Sequence, residues 1–329
     1  MKITFKDVGQ GDSIILEWNY DREDKIGIID CSKKGKTNPV IDYLKTTSYT
    51  NIEFIILSHP HTDHYSGMIE LLEYCKSLTI KITSFYHTLY GIGKNYWKYF
   101  ELDSEDNKQF GRLINLISEL DKKEFLEIRF INVGQTIDLY PNAYLRCMSP
   151  SHKELEECQR IMKFDPALHK KEQSSAANYL ATIFKLKIDN NYALLTSDAE
   201  VLAFQTILSK RNQLLTDKRL ILSQMSHHGS YKNYEDSFWS TIKRKKTLPA
   251  VASAGKNAKY KHPDYQTLKA FVNHDYTIHS TSPHHGMAEY IAELENIKKL
   301  TSKLDTVSDE AEEYYIYGDK TFNWNELIK

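Results

Sequence analysis

The amino-acid sequence predicts an α/β fold in which two β-sheets lie face to face with helices outside them. Both halves of the chain contain short β-branched strand patterns followed by helical patterns. Residues 52–57 form a continuous apolar run, which is typical of a strand covered on both faces. With 329 residues, the chain is long enough for one large domain or two ordinary ones with a substantial apolar core.

The elements of the first half follow from the spacing of apolar residues. Met68, Leu71, Leu72 and Cys75 have the spacing of a short amphipathic helix that begins near Gly67. Alternating or continuous apolar patterns predict strands at residues 3–8, 13–18, 26–30, 52–57 and 80–85.

Residues 86–130 differ in composition from the rest of the chain. Aromatic residues crowd the stretch 86–100, and a polar helical pattern follows at 103–123. We interpret this region as a helical, aromatic-rich insertion on the scaffold. It is either the packed core of a small lid or a contact surface for substrate bases or a protein partner.

The second half repeats the pattern of strands and helices. A charged stretch, 151–173, is predicted to be helical or mobile. Strands are predicted at residues 127–132, 143–148, 179–188, 192–196, 220–225, 248–253 and 276–280, and helices at 199–210, 234–243 and 263–273. Residues 1–285 are predicted to form the main domain, and 286–329 a C-terminal extension with one helix and a strand-like piece at 314–324.

Composition limits the classes of function. Lys and Arg total 43 against 44 Asp and Glu, so the formal net charge of −1 provides no global positive field for nucleic acid. The four cysteines show no paired metal spacing and are too few for a disulfide scaffold, which favours a reducing compartment. No apolar run is long enough for a membrane span, and no export signal is visible. We therefore expect a cytoplasmic location.

The most informative motif is the segment 58–64, which follows the buried strand and precedes a helix. It contains His59, His61, Asp63 and His64. Imidazole nitrogens and carboxylate oxygens are preferred ligands of Zn²⁺ and similar ions. His59 and His61 can point to one ion while Asp63 and His64 turn toward a second, so the spacing predicts a two-metal site. A His-rich surface loop is the alternative.

Further candidate ligands lie at later strand ends. Asp198 closes an apolar run and is placed to bridge two ions, or else to cap the following helix. One of His227 and His228 is expected to bind metal, and the sequence leaves open which. His262 opens a helix and is a candidate ligand or phosphate contact.

These motifs resemble those of metallo-β-lactamase-fold hydrolases. The chain resembles in particular the soluble domain of ComEC-type competence proteins, which are DNA-uptake proteins, and phosphorylcholine-esterase-like phosphodiesterases. The resemblance covers roughly residues 1–85 and 128–285. It is carried by the motifs at 7–13, 28–30, 58–67, 195–198, 227–230 and 262–263.

The resemblance implies an αββα sandwich with metals at one edge between the sheets. It also implies that Asp30 is a structural aspartate below the site, which orients the metal-binding residues without binding metal itself. This chain has Cys31 and Ser32 where the family usually has glycines, and Ser197 where it has a glycine. The superfamily's histidine between the loop motif and the late aspartate has no clean counterpart. His152 is a weak candidate for it, and His87 is a weaker one.

We expect two divalent ions, with Zn²⁺ ahead of Mn²⁺ and Fe²⁺, to activate a bridging hydroxide that attacks phosphorus. Asp63 or a histidine would move the proton, and the catalytic set is Asp63, His228 and His262. Gln10 and Asp12, on the first hairpin turn, would orient the metal loop or serve as ordinary turn residues.

Substrate binding is assigned to Ser230 and Lys261. Lysines 256, 259 and 261 and the basic run 243–246 form a local basic concentration, or else a solvated surface. The predicted function is a metal-dependent phosphodiesterase acting on nucleic acid or another phosphodiester. The alternatives are a metallohydrolase of carbon esters, lactones or amides, and a partner-binding or toxin-like module on the same fold. The oligomeric state stays open.

Overall fold

The computed structural model describes residues 1–89, 104–162, 175–242, 246–301 and 318–329. Several predictions lie outside these residues. They concern the aromatic stretch from residue 90 onward, the end of the charged stretch after 162, positions 243–245 of the basic run, and residues 314–317 of the strand-like piece.

Two sheets of seven strands each form the centre of the protein. The first contains β1 (Lys2–Phe5), β2 (Ile14–Tyr20), β3 (Glu23–Ile29), β4 (Asn51–Leu57), β5 (Lys81–His87), β6 (Glu127–Phe130) and β14 (Lys320–Asn323). The second contains β7 (Thr136–Tyr140), β8 (Ala143–Ser149), β9 (Ile183–Ile188), β10 (Asn191–Leu195), β11 (Arg219–Gln224), β12 (Leu248–Ala252) and β13 (Tyr276–Ser280).

Both sheets are half antiparallel and half parallel. The first has the order β14-β1-β2-β3-β4-β5-β6 and becomes parallel from β3 onward. The second has the order β13-β12-β11-β10-β9-β8-β7 and is parallel from β10 to β13. The candidate ligands follow β3, β4, β10, β11 and β12, which are strands of the parallel halves. Because the carboxyl ends of parallel strands meet at one edge, these ligand loops lie close together.

Helices cover the outer face of each sheet. They are α1 (Pro39–Leu44), α2 (Thr62–Tyr65), α3 (Met68–Ser77), α4 (Ser104–Lys122), α5 (His152–Met162), α6 (Val201–Arg211), α7 (Gln213–Thr216), α8 (Asp236–Thr241), α9 (Tyr265–Asn273), α10 (Gly286–Thr301) and α11 (Trp324–Leu327). None of the helices in the described part of the chain combines the length and the apolar character that crossing a membrane requires.

The apolar core has three layers, one between the sheets and one under the helices on each side. In β4, Phe54 and Ile56 pack between the sheets, whereas Ile55 and Leu57 pack against the helical layer. All four are buried, which confirms that this strand is covered on both faces. The layer order confirms the α/β sandwich predicted from the sequence.

Three elements differ from the sequence prediction. Ala177–Leu180 forms a 3₁₀ turn, so the strand predicted from residue 179 begins only at Ile183. The short strand β7 has no counterpart in the prediction, although its five residues alternate between exposed and buried positions. The C-terminal strand β14 pairs with β1 and so completes the first sheet, a long-range pairing that local pattern does not encode.

Candidate metal centre

The loop between β4 and α2 carries the dense His/Asp motif. His59 and His61 lie in the loop, and Asp63 and His64 lie in α2. The side chains of His59 and His64 are fully buried, whereas that of Asp63 is 35% exposed. His61 Nδ1 lies 3.1 Å from His59 Nε2. The motif therefore presents two buried imidazoles and a carboxylate open to the solvent side.

Asp30, at the end of β3, holds the motif from behind. Its Oδ1 accepts a hydrogen bond from the Ser58 backbone N–H at 2.8 Å, and its Oδ2 accepts one from Ser58 Oγ at 2.6 Å. His64 Nδ1 lies 2.8 Å from Asp30 Oδ2. With Nδ1 engaged by a carboxylate, His64 presents Nε2 to the centre of the site, as metal-binding histidines do.

Asp198 lies in the middle of the cluster and is 1% exposed. Its Oδ1 is 3.4 Å from His64 Nε2 and 3.5 Å from His228 Nε2. Its Oδ2 is 3.8 Å from His59 Nε2 and 3.5 Å from His227 Nε2. Each carboxylate oxygen thus faces a different pair of imidazoles.

His228 is held in the same manner as His64. Its Nδ1 donates to the Ser253 carbonyl at 2.8 Å, and its Nε2 lies 3.3 Å from Asp63 Oδ2. Its side chain is 1% exposed, while that of His227 is 23% exposed. The pair therefore divides into a buried imidazole and one at the cavity surface.

The first hairpin turn contacts the ligand loop directly. The Asp12 backbone N–H donates to the Asp63 carbonyl at 3.1 Å. A Cβ atom on Gly11 would lie 2.3 Å from that carbonyl oxygen, so this approach requires glycine. Gln10 Oε1 accepts from the Gly255 backbone N–H at 3.4 Å. Asp12 therefore contacts the loop that carries the motif, and Gln10 contacts the loop after β12.

Gln224 connects three loops, and the sequence analysis did not identify it. Its Oε1 accepts from the backbone N–H groups of Thr196 and Ser197 at 2.9 and 3.0 Å. Its Nε2 donates to Asp12 Oδ2 at 2.8 Å. A glutamine near the end of an otherwise apolar strand, three residues before His227, was the available signal.

Several non-glycine residues around the cluster have positive φ. The values are 60° at Asp30, 45° at Ser197, 49° at His227 and 57° at His228. This conformation costs about 1–2 kcal/mol per residue, and such strain concentrates at functional sites. The glycine that the resemblance implies at position 197 has a physical reason, since that position requires left-handed backbone.

Burial and neighbouring charges set the protonation of the cluster. Burial, together with His64 and His61, lowers the pKa of His59 well below its usual value. Burial disfavours ionised Asp63, but His228 and His64 outweigh it and lower the pKa of this carboxyl. Burial raises the pKa of Asp12 to about 6. In contrast, Asp198 and Asp30 outweigh burial and raise the pKa of His64 well above its usual value, and Asp198 and Asp63 raise the pKa of His228 to about 9. Metal binding at these two imidazoles therefore displaces a proton.

Unpartnered atoms test whether the residues fit a cation. His64 Nε2, His228 Nε2 and Asp198 Oδ1 are buried and have no hydrogen-bond partner in the described part of the chain. Buried polar atoms are rarely left in this state without a ligand. Four sets of three residues each bring their own ligand atoms within 4.8 Å of one another. These four donor groups are His59, His64 and Asp198; Asp63, His64 and His228; Asp12, Asp198 and His228; and Asp12, Asp30 and His64. The cluster therefore fits divalent metal ions.

A cavity of about 830 Å³ opens above the cluster. Asp63, Asp198 and both His227 and His228 form its floor, and Lys33 and Lys259 lie on its wall. Its other described lining residues are Gln10, Ser32, His61, Thr62, Ser66, Ser175, Asn178, Asn257 and Tyr260. A substrate in this cavity would meet both the cluster and the side chain of Lys259, while the Lys33 ammonium is ion-paired with Glu70.

His262 lies near the cluster but, like His61 and His227, outside the four donor groups. Its ring centroid is 5.7 Å from that of His227, and its Nδ1 is 3.6 Å from Asp264 Oδ2. Burial lowers the pKa of His262 to about 4. Ser230 and Lys261 are not among the described residues that line the cavity; the backbone N–H of Ser230 donates to the His227 carbonyl instead.

The two weak candidates for a further ligand lie elsewhere. The His152 side chain is 86% exposed on α5 and lies 3.1 Å from Glu156. His87 is buried, accepts from the Leu89 N–H at Nδ1, and packs edge-on against Phe130. Neither belongs to the four donor groups.

Comparison with known proteins adds similarity of fold. The structure is similar to a metallo-β-lactamase fold protein, YhfI from Bacillus subtilis, with 10% identity and a TM-score of 0.44 over 87% of this chain and 98% of that chain. A diphosphatase from the PhnP family gives 11% identity and a TM-score of 0.41 over 84% and 94%. A long form RNase Z from yeast gives 12% identity and a TM-score of 0.41 over 78% and 37%.

No protein-family model matches the sequence, and no curated protein matches it. The fold class is nevertheless defined by the chain itself. Its two mixed sheets with flanking helices form an α/β sandwich.

Proposed function

We propose that the chain is a hydrolase that uses two divalent cations to cleave phosphodiesters. The observation that carries the proposal is the position of Asp198, whose two carboxylate oxygens face separate pairs of imidazoles. A carboxylate so placed is suited to bridge two metal ions. The ligands proposed for the pair are His59, His61, Asp63, His64, Asp198 and at least one of His227 and His228.

The residues behind the ligands orient them. Asp30 engages His64 at Nδ1, and the Ser253 carbonyl engages His228 at Nδ1, so both rings turn Nε2 toward Asp198 Oδ1. These groups would hold two divalent cations, whose chemistry there would be to lower the pKa of water and polarise a phosphoryl oxygen. The protein supplies the fixed geometry, so little reorganisation is needed during the reaction.

Two side chains are proposed for proton transfer. Asp63 is partly exposed to the cavity and lies next to His228, so it can accept a proton from the attacking water. His262 is the imidazole nearest to His227 that lies outside the donor groups. A bound phosphate beside His262 would raise its pKa and allow it to protonate the leaving oxygen.

The cavity supports a phosphodiester substrate. Lys259 and Tyr260 line the cavity and offer a positive charge and an exposed aromatic ring to a substrate, whereas the Lys33 ammonium is ion-paired with Glu70. This combination suits a phosphate with an attached base or other planar group. Nucleic acid is therefore the first substrate to examine, and a small footprint agrees with the net charge of −1.

Zinc is the proposed metal, since the donors are imidazole nitrogens and carboxylate oxygens. Manganese and iron accept the same ligands. The four cysteines are buried free thiols, which supports the reducing, cytoplasmic location expected from the sequence.

The test is hydrolysis of bis-p-nitrophenyl phosphate, single-stranded DNA, duplex DNA and RNA by the purified chain, with and without chelator. We expect chelator-sensitive cleavage that is lost in a variant combining His61→Ala and Asp198→Ala. His152→Ala removes an exposed histidine away from the cavity and is the matched control. Activity that survives in the double variant would rule out the proposal. Turnover of carbon esters or lactones alone would favour the carbon-ester alternative.

A further inference from the structure

We infer that His227 and His228 are both metal ligands, each belonging to a different one of the two cation positions. This inference rests on the proposed function and deepens it, because it completes the first position with His227. The sequence alone left open which member of the pair binds metal, and the geometry around Asp198 assigns a separate place to each.

The two carboxylate oxygens of Asp198 separate the imidazoles into two sets. Oδ2 faces His59 Nε2 at 3.8 Å and His227 Nε2 at 3.5 Å. Oδ1 faces His64 Nε2 at 3.4 Å and His228 Nε2 at 3.5 Å. Because adjacent histidines turn to opposite oxygens of one carboxylate, they are suited to bind different ions.

Counting donors supports the same division. The second position has Asp63, His64, His228 and Asp198 Oδ1, which are four donors. Without His227, the first position has only His59, His61 and Asp198 Oδ2. With His227, whose Nε2 faces the same carboxylate oxygen as that of His59, the first position has four protein donors, as the second has.

The backbone is strained in the way that this arrangement requires. His227 and His228 are consecutive non-glycine residues with φ of 49° and 57°. The pair is held there by a hydrogen bond from the His227 N–H to the Ser197 carbonyl at 2.9 Å. The rings stand nearly perpendicular, with centroids 5.8 Å apart. Regular helical or extended backbone would avoid this strain. Since strained backbone concentrates at functional sites, a function for both imidazole rings accounts for it.

The surroundings also turn His227 toward Asp198. Behind its ring, Nδ1 lies 3.5 Å from Asn178 Nδ2, and the same amide donates to Glu200 Oε1 at 3.0 Å. Asn178 and His227 both line the cavity. The His227 side chain is 23% exposed and that of His228 only 1% exposed. His227 therefore reaches the Asp198 carboxylate from the cavity side, whereas His228 reaches it from the buried side.

The experiment measures metal binding and does not depend on activity. The full chain is stripped of metal and titrated with Zn²⁺ by equilibrium dialysis with elemental analysis. His227→Asn is the main variant, because asparagine tolerates the left-handed backbone better than alanine. His228→Asn tests the second position, and His152→Asn, which replaces an exposed histidine on α5, is the control.

We expect the wild type to bind two zinc ions and His227→Asn to bind one with unchanged affinity. The affinity for the other ion should fall by about 100-fold or more, since even residues behind a ligand change metal affinity 10- to 100-fold. Adding His59→Asn should leave one ion bound, because His59 and His227 serve the same position. Adding His64→Asn instead should remove tight binding altogether.

Other outcomes separate the inference from the proposed function. Two ions bound by His227→Asn with wild-type affinity would overturn the inference but leave a chelator-sensitive phosphodiesterase intact. Loss of both ions from that single variant would also overturn it, because the positions would not be separate. A wild-type chain that takes up no metal would overturn both. If His227→Asn fails to fold, the wild type provides the test by NMR. Zinc must then shift the imidazole ¹⁵N signals of both His227 and His228, and an unshifted His227 signal overturns the inference.

Discussion

Ser197 Oγ donates a hydrogen bond to Ser58 Oγ at 2.8 Å and so joins the loop after β10 to the ligand loop after β4. Ser58 Oγ in turn donates to Asp30 Oδ2 and lies 3.1 Å from His59 Nδ1. Ser197 Oγ itself is 3.4 Å from His59 Nδ1. Two hydroxyls, one from each sheet, therefore lie behind the imidazole of His59.

The first prediction separates the hydroxyl of Ser197 from its backbone strain. Ser197→Ala removes the hydrogen bond and keeps a side chain at φ 45°, whereas Ser197→Gly removes the bond and relieves the strain. We expect the alanine variant to be less stable than the glycine variant by about 1 kcal/mol. Urea denaturation measures the difference. Equal stabilities would contradict a strained backbone at this position.

The second prediction concerns the close approach of the hairpin turn to the ligand loop. Gly11→Ala places a Cβ atom 2.3 Å from the Asp63 carbonyl oxygen, so the loop must shift. We expect a loss of about 1–3 kcal/mol in stability, together with weaker metal binding. Gly9→Ala is the matched control, because φ is 74° there but no atom lies within 4 Å of the added Cβ. Unchanged zinc affinity in Gly11→Ala would show that the contact does not position Asp63.

A third prediction tests Gln224 as the connection between Asp12 and the loop of Asp198. Gln224→Met has a similar volume but leaves two backbone N–H groups and one carboxylate oxygen without their partner. Each buried group left unsatisfied costs about 1–3 kcal/mol. We expect reduced thermal stability and weaker zinc binding. A variant with wild-type melting temperature and zinc affinity would refute the role of this side chain.

The fourth prediction is a dependence of stability on pH that arises away from the metal cluster. Burial lowers the pKa of His87 to about 4 from the ordinary value of 6.5. Below pH 6.5 the unfolded chain binds a proton that the folded chain excludes, so folding stability is lost as the pH falls toward 4. Between pH 7.5 and pH 4.5 this histidine alone accounts for about 2–3 kcal/mol.

His87→Gln removes that contribution, so its stability should fall less over this pH interval than that of the wild type. Denaturant titrations at the two pH values measure the change. His152→Gln replaces an exposed histidine and should show the wild-type dependence. If His87→Gln loses as much stability as the wild type, the buried imidazole does not cause the acid sensitivity.

Local sequence pattern predicted most of the strands and helices of the core. The run ending in Leu57 became a doubly covered strand, and Met68, Leu71 and Cys75 became the buried face of α3. Local pattern missed β7, and it could not reveal that β14 pairs with β1, because that pairing joins opposite ends of the chain. A strand at 179 was also expected where the backbone turns at Asn178, a residue that lines the cavity.

By itself, the sequence determined the donor chemistry of the site: His59, His61, Asp63 and His64 stand within six residues on one loop, and imidazole and carboxylate have intrinsic metal preferences. Only the tertiary structure decided how residues far apart in the chain combine. It placed Asp198 between His64 and His227 and directed His228 to the Asp198 oxygen that His227 does not face. It also placed Gln224 beside Asp12. The physical reason is that donor type belongs to each side chain, whereas distances and directions arise from the pairing of strands and the packing of two sheets.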